Sequence, residues 1–339
     1  MFWYAIATLT PAAALALAYV LGGVWPWLAV GSITLMVLLM DRIPHELATS
    51  DRSGRWLNLL LAGVHLVLLF GGVWAIEGGS DLSGPGRVAS FLALGLYAGQ
   101  VSNSNAHELI HMAPRFLRLA GATVYVSLLH GHHVSAHLRV HHVHAATDDD
   151  PNSARLGEGF WAYALRALRG EFIAGLRADT AQRQRARAKP PALSHPYVFY
   201  VGGGALALLL SFGLAGWGGL AVHIGVAAYA QLQLLLSDYV QHYGLRRGLR
   251  ADGRREPVGP QHSWNAPSWY SGAMMLNAPR HSDHHMRPGR AFPDLSLDPV
   301  KMPILPRSLP VMATIALVPP LWRRVMDRRA ARWQDAAAG

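Results

Sequence analysis

Nine of the chain's 18 histidines lie in four short groups: His107 and His111 in HELIH, His137, His141 and His142 in HLRVHH, His242 alone, and His281, His284 and His285 in HSDHH. Four more, His130, His132, His133 and His144, crowd the second group. Imidazole is the commonest protein metal ligand and suits iron, zinc and copper. A single HxxxH is weak, because helix packing supplies it often. Four groups at the edges of hydrophobic stretches point to metal. Residues four apart on an α-helix share a face. His107 and His111 can thus serve one ion, His137 and His141 share a face, and so do His281, His284 and His285. His142 points about 100° from His141 and can serve a neighbouring ion. Nine imidazoles exceed what one ion can hold and fit two. His133 lies four residues before His137, so spacing alone leaves open where the second group begins.

A metal-bound imidazole usually donates its other N–H to a carboxylate or carbonyl. Glu108, Asp148, Asp149, Asp150, Asp238 and Asp283 are the acids placed to accept it. His130, His132, His133 and His144 read as supporting or surface residues, and His45, His65, His195, His223 and His262 carry no functional weight. The chain has no cysteine, which excludes a thiolate zinc site, a disulfide framework and a built-in iron–sulfur or rubredoxin-type centre. Redox chemistry here would need electrons carried in by another protein.

The elements that must position these residues are apolar helices. The chain is 51% hydrophobic and 15% charged, against about 25% charged in soluble domains. A span needs roughly 20 mostly apolar residues, and candidates lie at about 3–21, 25–40, 56–76, 88–104, 197–214 and 220–240. The first two form a hairpin through Gly22-Gly23-Val24, and the opening segment reads as a retained span, not a signal peptide. The expected fold is all-α and polytopic: one domain of about six spans with a histidine-rich cap at 105–194 and 242–339. Within the cap, 159–175 reads as an amphipathic interfacial helix and 177–189 as a solvated or headgroup-facing basic run. The apolar stretch 309–322 is too short to span and should be interfacial or packed on the cap.

Short loops at 22–26 and 213–219 carry no Lys or Arg, whereas 41–55 carries three Arg. The positive-inside rule then puts both termini and all four groups in the cytoplasm of an inner (plasma) membrane. The net charge of +10 is mostly that bias, and a nucleic-acid partner is not expected.

HELIH, HLRVHH followed by ATDDDP, QHYGL and RHSDHH, in this order, resemble the membrane-bound alkane 1-monooxygenases of the fatty acid desaturase/hydroxylase superfamily. LVPPLWRRVMD is similar to that family's closing segment, and the resemblance covers roughly 103–328. It implies a non-haem diiron site held by His107, His111, His137, His141, His142, His242, His281, His284 and His285, which settles the start of the second group. It also implies O2 as co-substrate, a hydrophobic substrate from the bilayer lipids, and a rubredoxin- or ferredoxin-type donor with its reductase. The soluble di-iron bundles differ, since they use a Glu-x-x-His motif on each of two helices and this chain has that spacing only once, at Glu108 and His111. The chain departs from the family at Ala136, Val140, Gln241 and Leu276-Asn277-Ala278-Pro279-Arg280. No ligand is lost, and the departures bear on the substrate pocket. A substrate entering end-on past Leu, Ala, Val and Trp, with few polar anchors, should react at its terminal methyl. The competing readings are a fatty-acyl desaturase or lipid hydroxylase, and a metal transporter or sensor. A transporter should place its ligands within the spans.

Overall fold

The computed structural model describes residues 1–50 and 54–338. Arg52 of the first basic loop and Gly339 at the end of the expected cap lie outside the described residues. The helices run in order α1 (Phe2–Leu21), α2 (Trp25–Ile33), α3 (Leu35–Met40), α4 (Arg55–Trp74), α5 (Gly84–Tyr97), α6 (Asn103–His111), α7 (Arg115–Ser127) and α8 (His133–Ala136). They continue as α9 (His142–His144), α10 (Phe160–Gln184), α11 (Pro196–His242), α12 (Trp269–Met274), α13 (His281–Met286), α14 (Leu309–Ala316) and α15 (Pro319–Ala338). Among the described residues there is no strand, only isolated bridges.

Three helical segments are long and apolar enough to cross a membrane: Phe2–Leu21, Arg55–Gly79 and Pro196–His242. The other expected spans depart from that simple form for local reasons. The one at 25–40 breaks at Thr34, whose hydroxyl donates to the Val30 carbonyl at 2.8 Å and competes with the helix ladder. The one at 88–104 passes through a π turn, Ala98–Ser102, and carries buried polar groups. One of them, Asn103, donates to the Ala230 carbonyl at 3.0 Å.

The 47-residue α11 is helical at both ends but not at Ala215 and Gly216, where Gly216 takes φ 59°. The Ser211 hydroxyl lies 2.6 Å from His223 Nδ1. Twelve residues along a straight helix rise about 18 Å, so the chain must reverse here. The turn falls where the loop at 213–219 was expected. Gly22 and Gly23, at φ 59° and 57°, turn α1 into α2 as the sequence suggests.

His65 and His223 are structural. His65 bridges the Ser102 and Ser127 hydroxyls at 2.9 Å each. His223 Nε2 donates to the Ser127 carbonyl at 2.7 Å. Both satisfy polar groups between apolar helices, where an unpaired group would be costly.

Among the described residues two large apolar cores result, beside a small cluster of Val126, Tyr197 and Tyr200. One joins α1, α4, α5 and α7. The other gathers the far half of α11, α10, α14 and α15 around Tyr239, Tyr243, Trp264 and Trp322. α10 is longer than the expected 159–175 and is two-faced. Trp161, Leu165, Leu168, Phe172 and Leu176 stay exposed along one stripe, while Phe160, Ala164, Ala167, Glu171 and Gly175 are buried along another. The exposed stripe is what a helix lying in a membrane interface needs. α14 packs on α11 rather than spanning.

Candidate metal centre

α6 contributes His107 and His111 from its last turns, and α13 contributes His281, His284 and His285. His242 closes α11. The second group sits on a π turn, His137–His141, leading into α9. A π turn bonds i to i+5 and so brings residues five apart onto one face. The expected face-sharing of His137 with His141 is therefore replaced by His137 with His142. Likewise His281, His284 and His285 do not act as one face, since His284 parts from the other two.

The nine side chains fall into two sets. His107, His111, His137, His142 and His284 bring their ring nitrogens within 4.8 Å of one another, and so do His141, His242, His281 and His285. Nε2 of His137 lies 3.0 Å from that of His111 and 2.9 Å from that of His142. His142 and His284 approach to 3.2 Å. In the second set, His281 Nε2 is 2.9 Å from His242 and 3.0 Å from His285. Two nitrogens bound at right angles to one metal, at about 2.1 Å each, stand about 3.0 Å apart. Nε2 of His107 and of His141 are buried with no hydrogen-bond partner among the described residues. Unpartnered buried nitrogens are expensive unless something else accepts their lone pairs. The donor set fits a metal that takes imidazole.

Burial, with the mutual repulsion of charged rings, pushes His107 down to about 3 and holds His111, His137, His142, His281, His284 and His285 well below the usual histidine range. These rings are neutral, the form that binds metal. His141 differs. Burial lowers it, but the Asp150 carboxylate, 2.9 Å from Nδ1, outweighs that and raises it. Asp150 also accepts from the Ser153 hydroxyl at 2.7 Å and the Asn152 backbone N–H at 3.0 Å. It thereby fixes the His141 tautomer with Nε2 free to ligate.

The other acids go elsewhere. Glu108 accepts from the Phe292 backbone N–H at 3.0 Å, and burial pushes its carboxyl up to about 8. Asp283 pairs with Arg287 and Arg290. Asp238 accepts from Asn152 at 2.8 Å. Asp148 and Asp149 are exposed. Of the six, Asp150 alone has a hydrogen bond to one of the nine imidazoles among the described residues. Glu171 was missed by sequence reasoning. Its signal was its place on the apolar face of α10, between Ala167 and Gly175.

A cavity of about 290 Å³ ends on His107, His137 and His281. Its lining is largely apolar, including Ile33, Val37, Leu38, Leu232 and Val311. It also holds Gln100, Asn103, Gln233, Ser237, Asp238 and Gln241. The expectation of few polar anchors thus fails within the cavity, and no Trp lines it among the described residues. Several of these polar groups are occupied by the backbone: Gln233 donates to Gly95 at 2.8 Å and Gln241 to Ala278 at 3.1 Å.

The fatty acid desaturase family profile matches residues 84–315. Alkane 1-monooxygenase 1 of Pseudomonas aeruginosa is 32% identical over 302 residues, 86% of this chain and 78% of the relative. The chain belongs to the alkane 1-monooxygenases of the fatty acid desaturase family. Alkane 1-monooxygenase 2 of the same organism is 29% identical over 316 residues, 89% of this chain and 83% of the relative. Alkane 1-monooxygenase 2 of Alcanivorax borkumensis is 31% identical over 264 residues, covering 78% and 68%.

Set against this family's pattern, the departures separate by location. Gln241 and Ala278 line the cavity, whereas Ala136 and Val140 do not. Ala136 meets α10 instead, where a Cβ on Gly175 would come 3.0 Å from the Ala136 nitrogen. The Asn277 side chain donates to the Tyr4 hydroxyl at 2.5 Å and to the Phe292 carbonyl at 2.9 Å, tying the fourth group's approach to α1.

Proposed function

We propose that the nine histidines hold two non-haem irons and that the protein hydroxylates an unactivated C–H bond with O2, at the terminal methyl of a medium-chain hydrocarbon. The observation that carries this is a largely apolar cavity lined by histidines from two sets of converging imidazoles in a chain of this family. Reduced iron bound there would supply O2 activation. The chain's own residues do the rest. Asp150 orients His141, and the apolar lining accepts a hydrocarbon and excludes water. Three of the cavity amides, Asn103, Gln233 and Gln241, spend an N–H on a backbone carbonyl, so few donors are left to hold an internal carbon. The leading methyl therefore reaches the histidines first. Incubation with octane, dodecane and p-xylene under labelled O2 should give labelled primary alcohols. Secondary alcohols, or a double bond without label, would overturn this.

Electrons come from a rubredoxin- or ferredoxin-type protein, because the chain has no cysteine to hold a centre of its own. The protein sits in an inner membrane with six spans, the termini and histidine cap facing the cytoplasm. The reversal in α11 and the interfacial stripe of α10 support this. Reporter fusions after Gly79 and Gly216 should read periplasm, and one after Ala188 cytoplasm. The opposite pattern would refute the topology.

A further inference from the structure

Behind the five-imidazole set lies a cluster that the nine histidines leave out. The α7 helix ends in a turn in which His130 N–H bonds the Tyr125 carbonyl at 2.8 Å and Leu129 N–H bonds Val126 at 2.9 Å. This is a Schellman ending, and its left-handed position is usually glycine. Here it is Leu129 at φ 58°, a left-handed conformation that a residue with a Cβ adopts only at a cost. The turn delivers His130, His132 and His133 onto the buried face of α10, where Glu171 is wholly enclosed.

His130, His133 and Glu171 each place a ligating atom within 4.8 Å of the others. His130 Nε2 lies 2.7 Å from Glu171 Oε1 as an ion pair, but its direction is off that of a hydrogen bond, and His130 Nδ1, also buried, has no hydrogen-bond partner among the described residues. A nitrogen at hydrogen-bonding distance but off hydrogen-bonding direction is what results when both lone pairs aim at a shared third point. His133 Nδ1 lies 3.2 Å from Oε2. The carboxylate is held from outside by His132 Nε2 at 3.3 Å on Oε1 and by the Asn152 amide at 3.2 Å on Oε2. Such outer contacts orient a ligating carboxylate.

We propose that His130, His133 and Glu171 form a third metal site, distinct from the nine-histidine centre, that takes a divalent cation of the zinc class. Two imidazoles and a carboxylate are a zinc donor set, and a fourth position remains for solvent. The ion would pin the turn after α7 to α10 and so brace the segment that leads into His137.

The test is metal content of the full-length protein in detergent, loaded with iron and zinc and then desalted. Wild type should retain one zinc per chain beyond what Glu171→Gln retains, with iron equal in the two. His130→Gln keeps Glu171 and its other partners, and should lose the same zinc should Glu171→Gln fail to fold. Zinc-edge absorption of wild type should show two imidazoles and oxygen donors, not sulfur. Equal zinc in wild type and His130→Gln would overturn the site and leave a hydrogen-bonded cluster. This result is independent of the diiron reading, which His107→Ala tests through iron.

Discussion

His141, His242, His281 and His285 are all buried, whereas His107, His111 and His142 of the other set are half-buried. The smaller set has four donors and a carboxylate fixed behind one of them. The larger has five donors, and none of its imidazoles has a hydrogen bond to a carboxylate among the described residues. Sets built from one residue type can thus differ in the reserve each has against damage. In the larger set a spare donor provides it. In the smaller set it must come from orientation, since every imidazole counts.

Removing a donor should expose the difference most strongly. His285→Ala leaves three imidazoles in its set and should lose one iron per chain and all hydroxylation. His284→Ala leaves four in its own set and should hold iron better against a chelator, though activity still falls. Equal iron loss in the two would break the comparison. His45 is exposed and packs on Trp3 and Trp269, so His45→Ala should keep its iron and serve as control.

Next in size is the carboxylate. Asp150→Asn should weaken metal at the smaller set by about 10–100-fold and leave the larger set unchanged, as read by chelator competition. Uniform weakening of both sets would mean that Asp150 supports the fold instead.

The cavity offers a milder probe, because Ala278 lies at its histidine end and Val311 on its apolar wall. Val311→Phe should cut turnover of the longest substrates by about 10-fold or more relative to short ones. Ala278→Phe should slow all of them more evenly, since every reacting methyl must pass it. The reverse ranking would place the reacting end elsewhere.

The smallest effect concerns electron delivery. Arg177, Arg185, Arg187 and Lys189 are exposed and suit an acidic donor. Turnover with limiting donor should fall as salt rises, through screening of the encounter. Salt-independent turnover would remove this surface from consideration.

Much of the site was legible because its signals are local. HxxxH on α6 needs only helical periodicity, and the turns at Gly22-Gly23 and Gly216 needed only glycine. The reversal in α11 was readable from a short glycine-rich break, 213–219, between apolar runs. The division of the second group was not. A π turn differs from an α turn by one residue per hydrogen bond, and nothing in HLRVHH announces it. Asp150 and Asp149 look alike in Asp148-Asp149-Asp150-Pro151, yet only Asp150 turns inward to His141.

By itself, the sequence determined the residue types, the helical content and the four places where imidazoles gather, since each depends on neighbours within a turn or two. Tertiary structure decided which imidazoles face one another, because His284 joins His142 across 142 positions at 3.2 Å while its neighbour His285 joins His281. It also decided that Glu171 meets His130 and His133, since that contact exists only once α10 docks on the turn after α7. Convergence of this kind is a property of packed helices, and no local pattern encodes it.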